Sequence, residues 1–242
     1  MQLNYANMGA EQYKSREEWV YESLKSDILD LCLKPGQLLK ETEICEKFGV
    51  SRTPVRDAIR LLQEQGFVKN VPYQGVFVTL LSLNYIKQMI YMRVAVETSV
   101  LRDFSQIASP LVLEDIRYLI RKQEALIQEA GFSPEQFYRL DSQMHAIWFE
   151  ATKRTALWDM LQKQDLYYTR FRMLDFTTEP DFPRIIKEHK ELLECIEQKD
   201  SNRIEEVLKE HLYYSMKRMR YQIDVEYRDY FEEEPDEGKF DI

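Results

Sequence analysis

A mainly α-helical fold in two parts, a small turn-rich domain followed by an antiparallel bundle of long helices, is predicted by three features of the 242-residue sequence. The first is glycine placement: Gly36, Gly49, Gly66 and Gly75 lie close together, and only Gly131 interrupts the long stretch that follows. Glycine marks turns and helix C-caps, so the first part is compact and the remainder helical. The second is a set of Ser/Thr-Pro and Pro starts beyond residue 84 that open segments with apolar residues at helical spacing. The third is a pair of short β-rich runs, Phe67 to Val71 and Val76 to Leu80, confined to the first part. A composition of 44% hydrophobic and 31% charged residues is that of an ordinary globular chain and excludes disordered and collagen-like classes.

In the first domain, expected over residues 15–80, Ser15 and Glu18 have capping-box spacing, and Val20, Leu24, Ile28 and Leu31 follow at helical period until Lys34-Pro35-Gly36. A second short helix runs from about Thr42 to Phe48, with Gly49 as its C-cap. Ser51-Arg52-Thr53-Pro54 opens a third, Pro54 being tolerated in the first turn because its missing N–H has no intrahelical partner there. Val55, Ala58, Ile59 and Leu62 line one side of this helix, and Arg52, Arg56, Arg60 and Gln63 the other. The β-rich runs then flank Pro72-Tyr73-Gln74-Gly75 as a hairpin. Helix, helix, turn, helix, hairpin is a winged helix-turn-helix.

The formal charge of −9 argues against a generally basic nucleic-acid coat, but net charge speaks to solubility rather than to a site. Residues 226–242 carry eight acids against Arg228 and Lys239, which is −6 of that total and reads as a disordered, solubilising tail. Between Lys47 and Lys69, five basic residues face only Asp57 and Glu64. A row of arginines is, for a lone helix, simply a solvated face. Here it follows a tight Phe48-Gly49-Val50 turn, and such a second helix has the diameter of the DNA major groove. Arginine's planar fork suits guanine edges or phosphates, and Ser51 and Thr53 can donate to phosphates at the helix N-terminus. Double-stranded DNA is the expected partner.

The stretch Lys34 to Thr79, KPGQLLKETEICEKFGVSRTPVRDAIRLLQEQGFVKNVPYQGVFVT, resembles the N-terminal domain of the GntR family of bacterial transcription regulators. Asp57 stands where that family usually has glutamate. The resemblance implies a homodimer on a pseudo-palindromic operator, with Arg52, Thr53 and Arg56 on the DNA and the wing tip at Gln74 and Gly75 in or beside the minor groove.

Caps divide the second domain, expected over residues 82–225, into about six helices: Asn84 to about Phe104, Pro110 to Ala130, Pro134 to Thr152, Thr155 to about Phe176, Pro183 to Lys199, and Ser201 to about Tyr227. No phosphate loop, nucleophile elbow or internal repeat is present. The chain has three histidines, and all sit on apolar stripes: His145 one turn beyond Asp141, His189 with Ile185, Leu192 and Ile196, and His211 with Ile204, Val207 and Leu208. One buried histidine is usually a satisfied core residue. Three, with an inward aspartate beside one of them, point to a shared cation, since a buried carboxylate is costly unless paired or bound. Imidazole plus carboxylate suits Zn²⁺, Ni²⁺ or another divalent first-row ion. Cys32, Cys45 and Cys195 fit neither a disulfide framework nor a zinc motif and are read as buried thiols.

The spacing Asp141-x3-His145, Glu188-His189 and His211 resembles the effector domain, called FCD, of the FadR subfamily, over about Ser82 to Arg220. Met144 and Lys153-Arg154-Thr155 depart from its usual residues without touching a ligand. The resemblance implies a metal held by Asp141, His145, His189 and His211 beside a small carboxylate effector. Arg93, in an R-x3-E with Glu97, is the candidate anchor; an intrahelical Arg93–Glu97 pair is the alternative. Arg170 and Arg172 are weaker candidates.

The expected function is a dimeric, metal-containing transcription regulator, a repressor released from its operator by a small organic acid. A metallohydrolase fused to a DNA-binding domain is one rival, since an open Asp/His site can activate water. A helical domain that only dimerises, with structural histidines, is the other. No stretch approaches the ~18 consecutive apolar residues of a membrane span, and no signal peptide is read, so the expected setting is cytoplasmic, with no membrane partner.

Overall fold

The computed structural model describes residues 13–163, 166–178 and 180–233. They fall into two compact units, one reaching to Ser82 and resuming at Tyr227, the other Leu83–Glu226.

The first unit begins with α1 (Arg16–Leu29), whose N-cap Ser15 Oγ accepts from the Glu18 N–H at 3.1 Å. Its Trp19, Val20, Leu24 and Ile28 are buried. After a turn through Leu31, in the left-handed region at φ +59°, the chain forms β1 (Leu38–Leu39), then α2 (Glu41–Phe48), ended by Gly49 at φ +64°. Next come α3 (Arg52–Glu64), β2 (Val68–Val71) and β3 (Gly75–Val78). Val55, Ala58, Ile59 and Leu62 of α3 are buried, as its two-sided pattern requires. The hairpin carries a strand that the sequence pattern hides: β1 pairs antiparallel with β3 in the order β1-β3-β2, with Leu38 opposite Phe77. Two residues are too few for alternation to register. Gly75, at φ +121°, is fixed by this third strand, because a Cβ there would lie 2.9 Å from Leu38 Cδ1.

The C-terminal segment belongs to this unit. A 3₁₀ turn (Arg228–Tyr230) leads to Phe231, which bridges Leu81 in parallel. The Leu81 N–H donates to Tyr230 O and the Glu232 N–H to Leu81 O, each at 2.8 Å, and both Leu81 and Phe231 are buried. Charge counting places these residues in a solvated tail. Net charge averages over the two apolar side chains that decide the matter, and Phe231 packs while its neighbours stay in water. Residues 234–242 of that expected tail lie outside the described residues.

The second unit comprises α4 (Leu83–Ile107), α5 (Pro110–Leu126), α6 (Pro134–Ala151), α7 (Thr155–Lys163), α8 (Leu166–Thr178), α9 (Phe182–Gln198), α10 (Ser201–Arg218) and α11 (Arg220–Val225). Ser133 and Gln136 form a reciprocal capping box at the start of α6, and Ser109, Asp181 and Asp200 cap α5, α9 and α10. The single helix expected from Thr155 is two, α7 and α8, and the one expected from Ser201 is broken at Met219 into α10 and α11. Helix α10 packs on α4 and α9, and α5 on α6 and α9. The run Tyr168 to Phe176 of α8 is buried apart from Thr169, including Arg170, Arg172 and Asp175. Of the cysteines only Cys195 is buried; Cys45 is half-buried and Cys32, just past the end of α1, is exposed. No helix among the described residues is long and apolar enough to cross a membrane.

Candidate nucleic-acid interface and candidate metal centre

The face of α3 opposite its apolar stripe is exposed at Arg52, Thr53, Arg56, Arg60 and Gln63, and the preceding Ser51 is exposed as well. Ser51 caps α3 through its backbone only; its side chain makes no capping bond. Four of these groups are cationic or hydroxylic and lie in the first turns of α3, where the helix dipole favours an anion. Two of the arginines are engaged within the domain. Arg56 Nε donates to Glu41 Oε2 of α2 at 2.9 Å, and Arg60 to Glu64 at 2.7 Å. Among the described residues Arg52 has no ion-pair partner. At the hairpin tip Gln74 is exposed, whereas Gly75 is half-buried and already has a structural reason in Leu38.

In the second unit, Asp141 and His145 of α6, His189 of α9 and His211 of α10 converge. One ligand atom from each can be chosen so that all lie within 4.8 Å of one another, and all four residues are buried. Ligands about 2.1 Å from one ion sit at most about 4.2 Å apart, so a small closing of side chains suffices to hold one. The histidines are oriented from behind. His145 Nδ1 lies 2.6 Å from Glu97 Oε2 of α4, His189 Nδ1 2.8 Å from Gln123 Oε1 of α5, and His211 Nδ1 3.0 Å from Glu188 Oε2 of α9. Carboxylate and amide oxygens only accept, so each ring donates its Nδ1 proton outward and turns an Nε2 lone pair inward. Asp141 Oδ1, His145 Nε2 and His189 Nε2 are buried with no hydrogen-bond partner among the described residues. Three inward-facing acceptors without a donor are what a cation would satisfy, and the outward Nδ1 bonds are the usual support of a histidine ligand. The donor set fits a divalent first-row ion.

Electrostatics around the cluster run the same way. Burial alone would raise the Asp141 carboxyl, yet the His189 bond and the nearby His145 hold it well below the ordinary range. Burial pushes His189 down to about 4, with Asp141 opposing, so the ring is neutral and its lone pair available near pH 7. Glu97 would likewise rise on burial, but Arg93 and then His145 hold it at about 2.

Arg93 is buried and bound. Its Nε donates to Glu97 Oε1 at 2.7 Å, its guanidinium lies 4.7 Å from the Tyr168 ring centroid, and Nη2 is 3.4 Å from His145 Nδ1. The intrahelical pair and the approach to the cluster therefore coexist. Arg172 is the second guanidinium near the cluster: it donates to Ser215 Oγ, sits 3.8 Å from Asp175, and is held cationic against its burial by Tyr168 and Asp141. Arg170, two positions away, projects from the opposite side of α8 and is lowered to about 10 by burial. Sequence reasoning missed Gln123, although a glutamine on the Ile116, Ile120, Leu126 stripe is a visible polar exception. It saw Glu97 and Glu188 only as parts of motifs.

Residues 16–78 match the model of bacterial regulatory proteins of the gntR family, and residues 88–214, more than half of the chain, match the FCD domain. The chain belongs to the GntR family. It is a GntR-family DNA-binding transcription regulator with an FCD domain, and its relatives are regulators, not enzymes. The HTH-type transcriptional repressor RspR of Escherichia coli is 25% identical over 215 residues, covering 89% of this chain and 93% of that protein. Among solved structures, E. coli McbR/YncC superposes with a TM-score of 0.68 at 18% identity, over 87% of this chain and 99% of that one. A GntR regulator from Rhodococcus gives 0.63 at 21%, over 85% and 98%. These two show the shared fold of the regulator.

Proposed function

We propose that this GntR-family regulator is a homodimeric repressor of the FadR subfamily that holds a divalent ion, zinc or nickel, at Asp141, His145, His189 and His211, and that a small organic acid bound beside the ion releases it from a pseudo-palindromic operator. The observation that carries this reading is the inward set of unsatisfied acceptors, Asp141 Oδ1, His145 Nε2 and His189 Nε2, backed by outward Nδ1 bonds to Glu97, Gln123 and Glu188. The repressor named among the relatives supports the sense of regulation. Ser51, Arg52, Thr53, Arg56 and Arg60 contact the operator, with the wing tip at Gln74 and Gly75 alongside.

The ion supplies a fixed positive charge with open positions for a carboxylate. The chain's own residues do the rest. Glu97 joins Arg93 to His145, so an acid that draws Arg93 toward itself disturbs α4 and the cluster together. Helix α4 begins at Leu83, directly after the winged unit, and the chain returns to that unit after α11. A change in the packing of α4 against α10 is thereby delivered at both chain crossings. Arg172, from α8, offers a second cation, and Arg170 is left as a core group.

The test is effector affinity with and without saturating operator, using metal-loaded protein and an acid found by thermal-shift screening. A ~100-fold preference for the DNA-incompetent state corresponds to about 2.7 kcal/mol of coupling, and the operator must weaken acid binding by the same factor. Equal affinities would leave the helical unit a dimerisation module. Coupling that survived Arg93→Ala would keep the sensor and discard Arg93 as its anchor, with Arg172→Ala as the next variant.

A further inference from the structure

The turn between β2 and β3 holds a side chain that folding does not explain. The Gln74 N–H donates to Val71 O at 3.0 Å, closing a turn with Pro72 and Tyr73 at its centre. Tyr73 has φ +65°. Proline followed by a residue of positive φ is the type II pattern, in which the second central position favours glycine or asparagine. A bulky side chain there is a true outlier, because its Cβ crowds the backbone. Packing gives nothing back: Tyr73 is 108% exposed, so its ring stands wholly in solvent, and it makes no hydrogen bond or ring contact among the described residues. Strained residues of this kind cluster where a ligand is met.

The position of the turn says which ligand. It is the apex of the hairpin of a DNA-binding domain, and the hairpin starts only a few residues after α3 ends at Glu64. Lys69 and Asn70 of β2 are exposed as well. A four-residue strand spans about 13 Å, enough to carry the tip from a helix seated in the major groove across the phosphate ridge to the neighbouring minor groove. That groove is about 6 Å wide and takes flat or apolar side chains.

We propose that Tyr73 is a DNA-contacting residue, its ring entering the minor groove beside the half-site read by α3. The contact is neutral. It adds affinity and a preference for the width of the flanking groove without adding an ion pair, and it differs in kind from the arginine contacts of α3. The inference rests on the DNA-binding role of the winged unit and is independent of the metal centre.

The experiment uses the full-length protein and an operator obtained by selection from random duplexes, with Tyr73→Gly and Tyr73→Phe as variants. Glycine relieves the strained φ, so Tyr73→Gly should melt a few degrees above the parent and yet bind the operator about tenfold more weakly. The salt dependence of its binding should keep the parent's slope, since no phosphate-neutralising charge is lost. Tyr73→Phe should bind within about twofold of the parent. A Tyr73→Gly variant that binds as tightly as the parent overturns the proposal, and so does equal weakening by both variants, which would put the contact in the hydroxyl rather than the ring. Because the glycine variant is expected to be the more stable fold, its loss of binding cannot be laid to misfolding.

Discussion

On α3 the apolar residues are inside and the arginines stand in water; on α6, α9 and α10 the residues that break the apolar pattern are themselves the buried ones. Arg52 and His189 are both candidate functional groups on helices, yet Arg52 costs its unit almost nothing and His189 is tolerable only because Gln123 and Asp141 meet its two nitrogens. An exposed functional face can therefore change freely with the operator, because nothing else in the domain depends on it. A buried polar centre cannot. Each ligand is tied to an acceptor on another helix, so five helices, α4, α5, α6, α9 and α10, share one set of constraints.

Chelation is the sharpest test of that contrast and carries the largest expected effect. If free metal in the cell stands about 1,000-fold above the dissociation constant, removing it costs the helical unit about 4 kcal/mol by mass action. Amide exchange should then accelerate in α6, α9 and α10 while α1, α2 and α3 keep their protection. His189→Ala should reproduce the effect and abolish metal content. Equal loosening of both units on chelation, or metal content unchanged in His189→Ala and His211→Ala, would erase the distinction.

A second prediction concerns the boundary between the two regions in sequence. Phe231 follows the whole helical unit, yet it packs on Leu81 of the winged one. Phe231→Ala should destabilise the winged unit by about 3 kcal/mol, the low end for a buried phenylalanine, and leave the metal content untouched. Chemical denaturation followed by a probe in each unit separates the outcomes. A loss confined to residues 83–226 would mean that the segment serves the bundle instead.

The difference between the units also explains what was legible in the sequence. Periodicity revealed α1, α2, α3 and the hairpin, because each repeats its pattern long enough to count, and the four converging ligands were visible as exceptions on apolar stripes. The partners of the histidines were not. Glu97, Gln123 and Glu188 are distant in sequence from the rings they orient or lie on other helices, and only packing brings them together. The strand β1 failed for brevity, since Leu38 and Leu39 are two residues in a turn-rich stretch. Phe231 failed because eight acidic neighbours set the composition around it. Tyr73 was read merely as part of a turn, and its φ, which distinguishes it, is not a property of composition.

Operator binding supplies the intermediate effects. Arg52→Ala and Arg56→Ala should each weaken it by about 1 to 3 kcal/mol if they meet base edges, while the melting temperature of the winged unit stays within a degree or two, as befits exposed positions. Binding isotherms on the selected operator, beside thermal melts, test both halves of the statement. Unaltered affinity in both variants would remove α3 as the reading helix.

The smallest expected effect comes from Glu41. Its carboxylate accepts from Arg56 Nε at 2.9 Å, with both side chains partly in solvent. In the free protein this pair holds the arginine back toward α2, and on DNA the same carboxylate stands near phosphates that repel it. An exposed ion pair of this type is worth about 0.2 to 1 kcal/mol, so Glu41→Gln should tighten operator binding by a few-fold at low salt and leave stability nearly unchanged. The gain should shrink as salt screens the charge, and it should vanish in the Arg56→Ala background if pairing with Arg56 is the whole of the effect. A double-mutant cycle measures that coupling directly. A gain that persisted without Arg56 would assign Glu41 to general repulsion of the DNA backbone, and a loss of affinity would mean that the Glu41–Arg56 pair pre-orients the arginine for its base and belongs to the interface itself.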